Sequence, residues 1–118
     1  MTAVLLVEDQ DPVREVLAEV LEDGGNDVIE AATGEEALNV ISRRGPPEVL
    51  VTDLDLGEGL SGLKLADNVA RDWPQVGVVL ISGRPWLMRH HALRPREHFL
   101  EKPCPANKLL ETVEKLRP

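Results

Sequence analysis

Five short apolar runs, mostly β-branched, alternate along this chain with segments of helical periodicity, and this alternation constrains the fold more than any other feature. The runs are residues 3–7, 28–31, 49–52, 76–81 and 98–100. Several are continuously apolar instead of alternating in and out, the pattern of strands covered on both faces. Between the first two, Val13, Val16, Leu17, Val20 and Leu21 fall at i, i+3, i+4, i+7 and i+8, one stripe of a helix. Asp11 is the expected N-cap of that helix, with Pro12 at its first position and Gly24-Gly25 as its stop. A second helix opens on the capping-box pattern Thr33-Gly34-Glu35-Glu36 and runs to Gly45-Pro46-Pro47. A third is expected over residues 62–71, a short fourth between Pro85 and Pro95, and a fifth over residues 105–116. The order is (βα)5, and strict alternation of this kind implies an α/β, doubly wound, five-stranded parallel sheet with helices on both faces.

Length and charge then narrow the function. With 118 residues the chain is expected to form a single domain, 1–118. Its 13 basic and 21 acidic residues leave a net charge of −8, which argues against direct binding of nucleic acid, because a phosphate backbone demands a basic surface. Two Trp, one Phe and no Tyr offer few platforms for base stacking. Cys104 is the sole cysteine, so neither an internal disulfide nor a multi-cysteine zinc site is expected. No apolar run approaches the ~20 residues needed to span a bilayer, and the N-terminus lacks the basic stretch of a signal peptide. These features point to a cytoplasmic protein that does not enter the membrane. The charge is also uneven: residues 1–72 hold 5 basic and 17 acidic side chains, and residues 73–118 hold 8 and 4.

Four of the five runs end in residues able to do chemistry. The first leads into Glu8-Asp9, the third into Asp53, the fourth into Ser82 and the fifth into Lys102. In a parallel sheet these carboxyl ends share one edge, where open α/β sheets bind their ligands. Three carboxylates gathered there repel one another unless a cation lies among them, and an all-oxygen acidic site suits Mg²⁺. A lysine and a hydroxyl facing the same place supply donors for a phosphoryl group. The set therefore points to metal-assisted phosphoryl chemistry with a carboxylate nucleophile.

The segments VLLVEDQDPVRE, LVTDLDLGEGLSGLKLA, VVLISG and FLEKP, in that order, closely resemble the receiver domain of two-component response regulators. The resemblance covers the whole chain and implies the flavodoxin-like, CheY-like strand order 2-1-3-4-5. It implies that Asp53 is a phosphoacceptor taking its phosphoryl group from a phosphohistidine on a sensor histidine kinase or a histidine phosphotransfer protein. Mg²⁺ is then held by Glu8, Asp9, Asp53 and the backbone carbonyl of Asp55. Lys102 and Ser82 contact the phosphoryl group. Ser82 and Phe99 act as the switch pair, with Phe99 standing where the family often has Tyr. The resemblance further implies a cis bond at Lys102-Pro103 and output through the surface of helix four, strand five and helix five, toward a downstream protein target or a second copy in a homodimer. The family's rate-tuning positions hold Asp55 and Arg84, whose opposite charges are expected to pair across the mouth of the site. Such a domain signals and is not a turnover enzyme. No output segment is expected after the fifth helix.

The chain departs from the family after Asp53, where Leu56-Gly57 replaces the frequent Met-Pro and Gly62 stands nine residues on instead of eight, in a loop with three glycines. Two rival readings follow from the residues themselves. Asp53-Leu54-Asp55 resembles the Asp-x-Asp of haloacid-dehalogenase-like phosphatases, and a receiver-like interaction module that never takes phosphate is the other. His90, His91 and His98 lack ligand spacing and are expected to be solvated or to face a partner. Trp73 and Cys104 are expected to pack, and Trp86 to pack or to sense the switch. Arg89, Arg94 and Arg96 lie near the expected output face, where an acidic partner would meet them.

Overall fold

The structure is a computed structural model, and it describes residues 3–118. The element order is β1 (Ala3–Val7), α1 (Asp11–Asp23), β2 (Asp27–Ala31), α2 (Gly34–Arg44), β3 (Val49–Asp53), α3 (Gly62–Asp72), β4 (Gly77–Ser82), a 3-10 turn (Pro85–Met88), β5 (Glu97–Glu101) and α4 (Ala106–Leu116). The strands form one parallel sheet in the order β2-β1-β3-β4-β5. Strand side chains alternate between the two faces. Leu5, Val7, Leu50, Val78 and Leu80 join Ile41 of α2 and Leu65 and Val69 of α3 in one core. Val4, Leu6, Val51, Val79 and Ile81 join Leu21 of α1 and Leu109 and Val113 of α4 in the other. Two-sided burial is what the continuously apolar runs require.

The helix boundaries follow local chemistry. Thr33 caps α2 by accepting from the Glu36 N–H, and the Glu36 carboxylate reaches back to the Ala32 N–H. Ser61 caps α3 by accepting from the Lys64 N–H. At α1 the expectation needs correction by one residue. Gln10 is the N-cap, in extended conformation, and Asp11 is the first helical residue. The Asp11 carboxylate accepts from Arg14 instead of from the backbone.

The larger correction concerns the helix expected between Pro85 and Pro95. Only one 3-10 turn forms, with Leu87, Arg89 and His91 N–H groups donating three residues back to Arg84, Trp86 and Met88. The sequence there has no apolar stripe, and Arg94 precedes a proline, which disfavours helical backbone. A buried acid organises the segment in its place. Glu97 opens β5 with its side chain 2% exposed, and it accepts from His91 Nε2 at 2.9 Å, the Arg94 N–H at 2.9 Å and the Arg94 guanidinium at 2.6 Å. Arg94 also reaches Asp67 on α3 at 2.7 Å. His91 is thus an internal partner and not a solvated or partner-facing residue. Arg94 and Arg96 are engaged likewise, Arg96 with the carbonyls of Gln75 and Leu116, and neither is free for an acidic partner. The face expected from helix four, strand five and helix five consists here of the 3-10 segment, β5 and α4.

Burial raises the proton affinity of Glu97, but the donors from Arg94 and His91 outweigh it and hold the acid below its ordinary value of 4.5. A depressed carboxylate contributes stability above its unfolded pKa that vanishes as the pH falls through the folded one. In urea titrations, wild type therefore loses more stability than Glu97→Gln as the pH drops from about 6 to about 3. At neutral pH Glu97→Ala costs about 2 kcal/mol, because it removes the shared acceptor of His91 Nε2, the Arg94 N–H and the Arg94 guanidinium and leaves a void at the start of β5.

Candidate functional site

The carboxyl edge of the sheet brings four strands' polar ends together. Glu8 directly follows β1, its N–H donating to the Ala31 carbonyl, and it is buried at 1% exposure. Arg14 of α1 donates to the Glu8 carbonyl, fixing the end of β1. Asp53 and Ser82 are the last residues of β3 and β4. Lys102 follows β5, with its N–H on the Ser82 carbonyl at 2.9 Å. Its ammonium donates to Asp53 Oδ2 at 2.8 Å and to Glu8 Oε1 at 2.9 Å. One cation therefore joins acids from two other strands.

Asp9 completes the acidic set. Oxygens of Glu8, Asp9 and Asp53 lie within 4.8 Å of one another, with Asp9 exposed and Asp53 half-buried. Burial pushes the Glu8 carboxyl above its ordinary value, with the Lys102 ammonium and the Gln10 N–H offsetting part of the rise. Burial pulls Lys102 the other way, but its two carboxylate partners win and its pKa is raised. Three carboxylates share one ammonium, so the cluster keeps an excess of negative charge.

A cavity of about 420 Å³ opens above the cluster, walled by Asp9, Asp53, Asp55, Ser82 and Arg84 among others. Arg84 and Asp55 do meet there, guanidinium to carboxylate at 2.8 Å. The Asp55 N–H donates to Asp53 Oδ1 at 3.0 Å, and Ser82 Oγ accepts the Arg84 N–H at 2.9 Å. Phe99 is half-buried against the α2–α3 core, in register with Leu80. Lys102-Pro103 is cis. Trp73 packs on the same core as Phe99, whereas Trp86 is 58% exposed. Cys104 packs on the opposite core, and burial raises its thiol pKa.

The lengthened loop after Asp53 owes its shape to its glycines. Gly57 and Gly59 have φ of 75° and 89°, which side chains resist. At Gly62 the N–H donates to the Leu54 carbonyl, and a Cβ would collide with the Asp53 carbonyl. Glu35 of α2 ties the loop down by accepting the Leu60 N–H at 2.8 Å. Neither this role of Glu35 nor that of Arg14 has a sequence signal, since each acts on a backbone group that any residue presents.

Residues 4–114 match the response regulator receiver domain. The chain belongs to that family. The receiver is 32% identical over 114 residues to the nitrogen assimilation regulatory protein NtrX of Azorhizobium caulinodans, covering 95% of the present chain and 25% of NtrX. It is 31% identical over 116 residues to the sensor kinase CckA of Brucella abortus, covering 96% of the chain and 12% of the kinase. It thus spans a quarter or less of these two relatives. Among solved structures, the receiver domain of NtrX from Brucella abortus superposes with a TM-score of 0.81 at 30% identity, covering 96% of each chain. The receiver domain of the hybrid histidine kinase CckA gives 0.81 at 32%, covering 97% of each. The fold and the two-component receiver class expected from the motifs are those found. No helix among the described residues is long and apolar enough to cross a membrane.

The loop geometry makes a direct prediction. Gly62→Ala forces the β3–α3 connection to shift and lowers stability in urea by about 2 kcal/mol or more.

Proposed function

We propose that this receiver takes a phosphoryl group onto Asp53 from a phosphohistidine and passes the signal on through protein contacts. The observation that carries the reading is the Lys102 ammonium bonded to both Asp53 and Glu8, beneath a cavity that also holds Ser82. Asp53 Oδ attacks the phosphorus in line; the bond to the imidazole nitrogen breaks, and the freed histidine leaves with the electron pair. The transition state is loose, so alignment and charge neutralisation supply most of the catalysis. Lys102 is placed to hold the equatorial oxygens, and Ser82 Oγ to hydrogen-bond the group once it is on Asp53.

The donor set also fits Mg²⁺: three carboxylates converge with only one ammonium among them, and hard oxygen ligands suit that ion. Glu8, Asp9 and Asp53, with the Asp55 carbonyl, are the residues to hold it. When bound, Mg²⁺ supplies neutralisation of charge on the phosphoryl oxygens. The Asp55–Arg84 pair stands over the mouth and tunes how long the acyl phosphate survives. Ser82 and Phe99 form the switch, read out at the 3-10 segment, β5 and α4 by a downstream target or a second copy. An apolar groove of about 550 Å³ along Pro12, Val16, Leu17 and Pro103 runs beside Lys102, giving a sensor kinase or phosphotransfer protein a surface against which to present its histidine. Such a partner places the receiver in the cytoplasm, as a signalling domain and not a turnover enzyme.

A phosphatase reading requires the Asp55 carboxyl as a general acid, and that carboxyl is engaged with Arg84. Incubation with Mg²⁺ and acetyl phosphate, followed by intact mass, distinguishes the readings. Wild type gains one phosphoryl mass only when Mg²⁺ is present, and Asp53→Asn gains none. Rapid donor turnover without an adduct would indicate the phosphatase. An unmodified protein, even with a phosphohistidine donor, would indicate an interaction module and sink the proposal.

A further inference from the structure

Arg84 is the one cation among the eight residues that line the site cavity, and its guanidinium has a single partner among the described residues, Asp55. We infer that Arg84 is a phosphoryl-contacting residue restrained by Asp55, and that its guanidinium transfers from that carboxylate to the phosphoryl group once Asp53 carries one. The inference rests on the reading of Asp53 as phosphoacceptor.

Position comes first. The Asp55 N–H lies 3.0 Å from Asp53 Oδ1, while Asp55 Oδ2 lies 2.8 Å from Arg84, so one residue separates the guanidinium from the acceptor. Strength comes second. The Arg84 and Asp55 side chains are 57% and 42% exposed, and ion pairs that open to water contribute little. Other arginines are far more committed: Arg14 holds Glu8, Asp11 and Glu30, Arg94 holds Glu97 and Asp67, and Arg96 holds two carbonyls. Arg84 can therefore change partners at small cost, and it is the arginine that lines the site cavity.

Charge sets the direction of the exchange. A carboxylate offers one negative charge, whereas a phosphoryl group carries roughly −1.5 to −2 and three acceptor oxygens, which a guanidinium fork grips in parallel. The backbone allows the move as well. The Arg84 N–H is held by Ser82 Oγ, so a hydroxyl that turns to the phosphoryl group releases residue 84 at the same time. Both restraints on Arg84 then end at the site. The 3-10 turn begins at the next residue and carries exposed Trp86 and Leu87 with it.

Exchange and static screening predict opposite signs for one variant. Under exchange, Asp55→Asn removes the competitor and frees Arg84 for the phosphoryl group. Under screening, Asp55→Asn and Arg84→Ala each open the mouth to water alike. The test loads wild type, Asp55→Asn, Arg84→Ala, Arg84→Lys and the double variant Asp55→Asn/Arg84→Ala with Mg²⁺ and acetyl phosphate. The donor is removed and the aspartyl phosphate followed by intact mass, with circular dichroism confirming that each variant is folded. We expect Arg84→Ala to shorten the lifetime about fivefold, Asp55→Asn to lengthen it about twofold, Arg84→Lys to fall between wild type and Ala, and the double variant to follow Arg84→Ala. In a Trp73→Phe background, Trp86 emission shifts on loading and stays still when Arg84 is Ala. A labelled Arg84→Ala with wild-type lifetime, or an Asp55→Asn whose lifetime shortens, overturns the exchange and leaves the phosphoacceptor standing. A wild type that takes no phosphoryl mass overturns both.

Discussion

The Lys102 ammonium between Asp53 and Glu8 is the contact on which the site depends. Glu8 is buried, and a buried carboxylate without a cation would neutralise itself or destabilise the fold. Lys102 supplies that cation from the far edge of the sheet. It starts beyond β5 and must cross the end of β4 to reach acids that follow β1 and end β3. Ser82 and Gly83 leave room for the crossing, because neither carries a side chain long enough to block it. The end of β4 places the Ser82 hydroxyl at the same cavity as Asp9 and Asp53, so the cation and the hydroxyl stand at one edge of the sheet.

Two buried acids in this receiver show how satisfaction separates structure from chemistry. Glu97 accepts three donors from His91 and Arg94, and Arg94 is balanced in turn by Asp67. That cluster has no further demand for positive charge, and it holds a segment in place. At the other edge of the sheet, Glu8 and Asp53 share a single ammonium, and Asp9 joins them without a cation of its own. That deficit is what supports the proposal of a divalent cation there. Acid content alone does not distinguish the two clusters; the count of donors does.

The strands and four of the helices were legible because each depends on local patterns. Continuous apolar runs marked two-sided burial, Thr33-x-x-Glu36 marked a cap, and polar residues at the ends of runs marked the reactive edge. The strand order came through the resemblance of motifs, not from periodicity. What stayed hidden was tertiary. The expected helix after β4 gives way to a 3-10 turn where the apolar stripe is missing and Arg94 precedes a proline, and the contacts of Glu97 with His91 and Arg94, which no local pattern announces, organise the segment instead. A Glu at the start of an apolar strand looks like a solvated end until its partners are seen. The internal engagement of Arg94 and Arg96 was hidden for the same reason, since charge in a sequence carries no record of what it pairs with. Asp55 and Arg84 were the exception, placed by the family motif two residues beyond two site residues.

Sequence separation gives the Lys102 contact a temporal meaning. The ammonium meets partners 49 and 94 residues earlier in the chain, on strands formed from the first half of the sequence. Until β5 docks, the acids of that half stand together with no neutralising charge from the second. The last strand in the order therefore supplies the cation that the two acids meet in the folded sheet. Contacts this distant in sequence form late, because loop closure must precede them. An intact Lys102 bridge is thus also a report that the strands carrying Glu8, Asp53 and Lys102 have been assembled into one sheet.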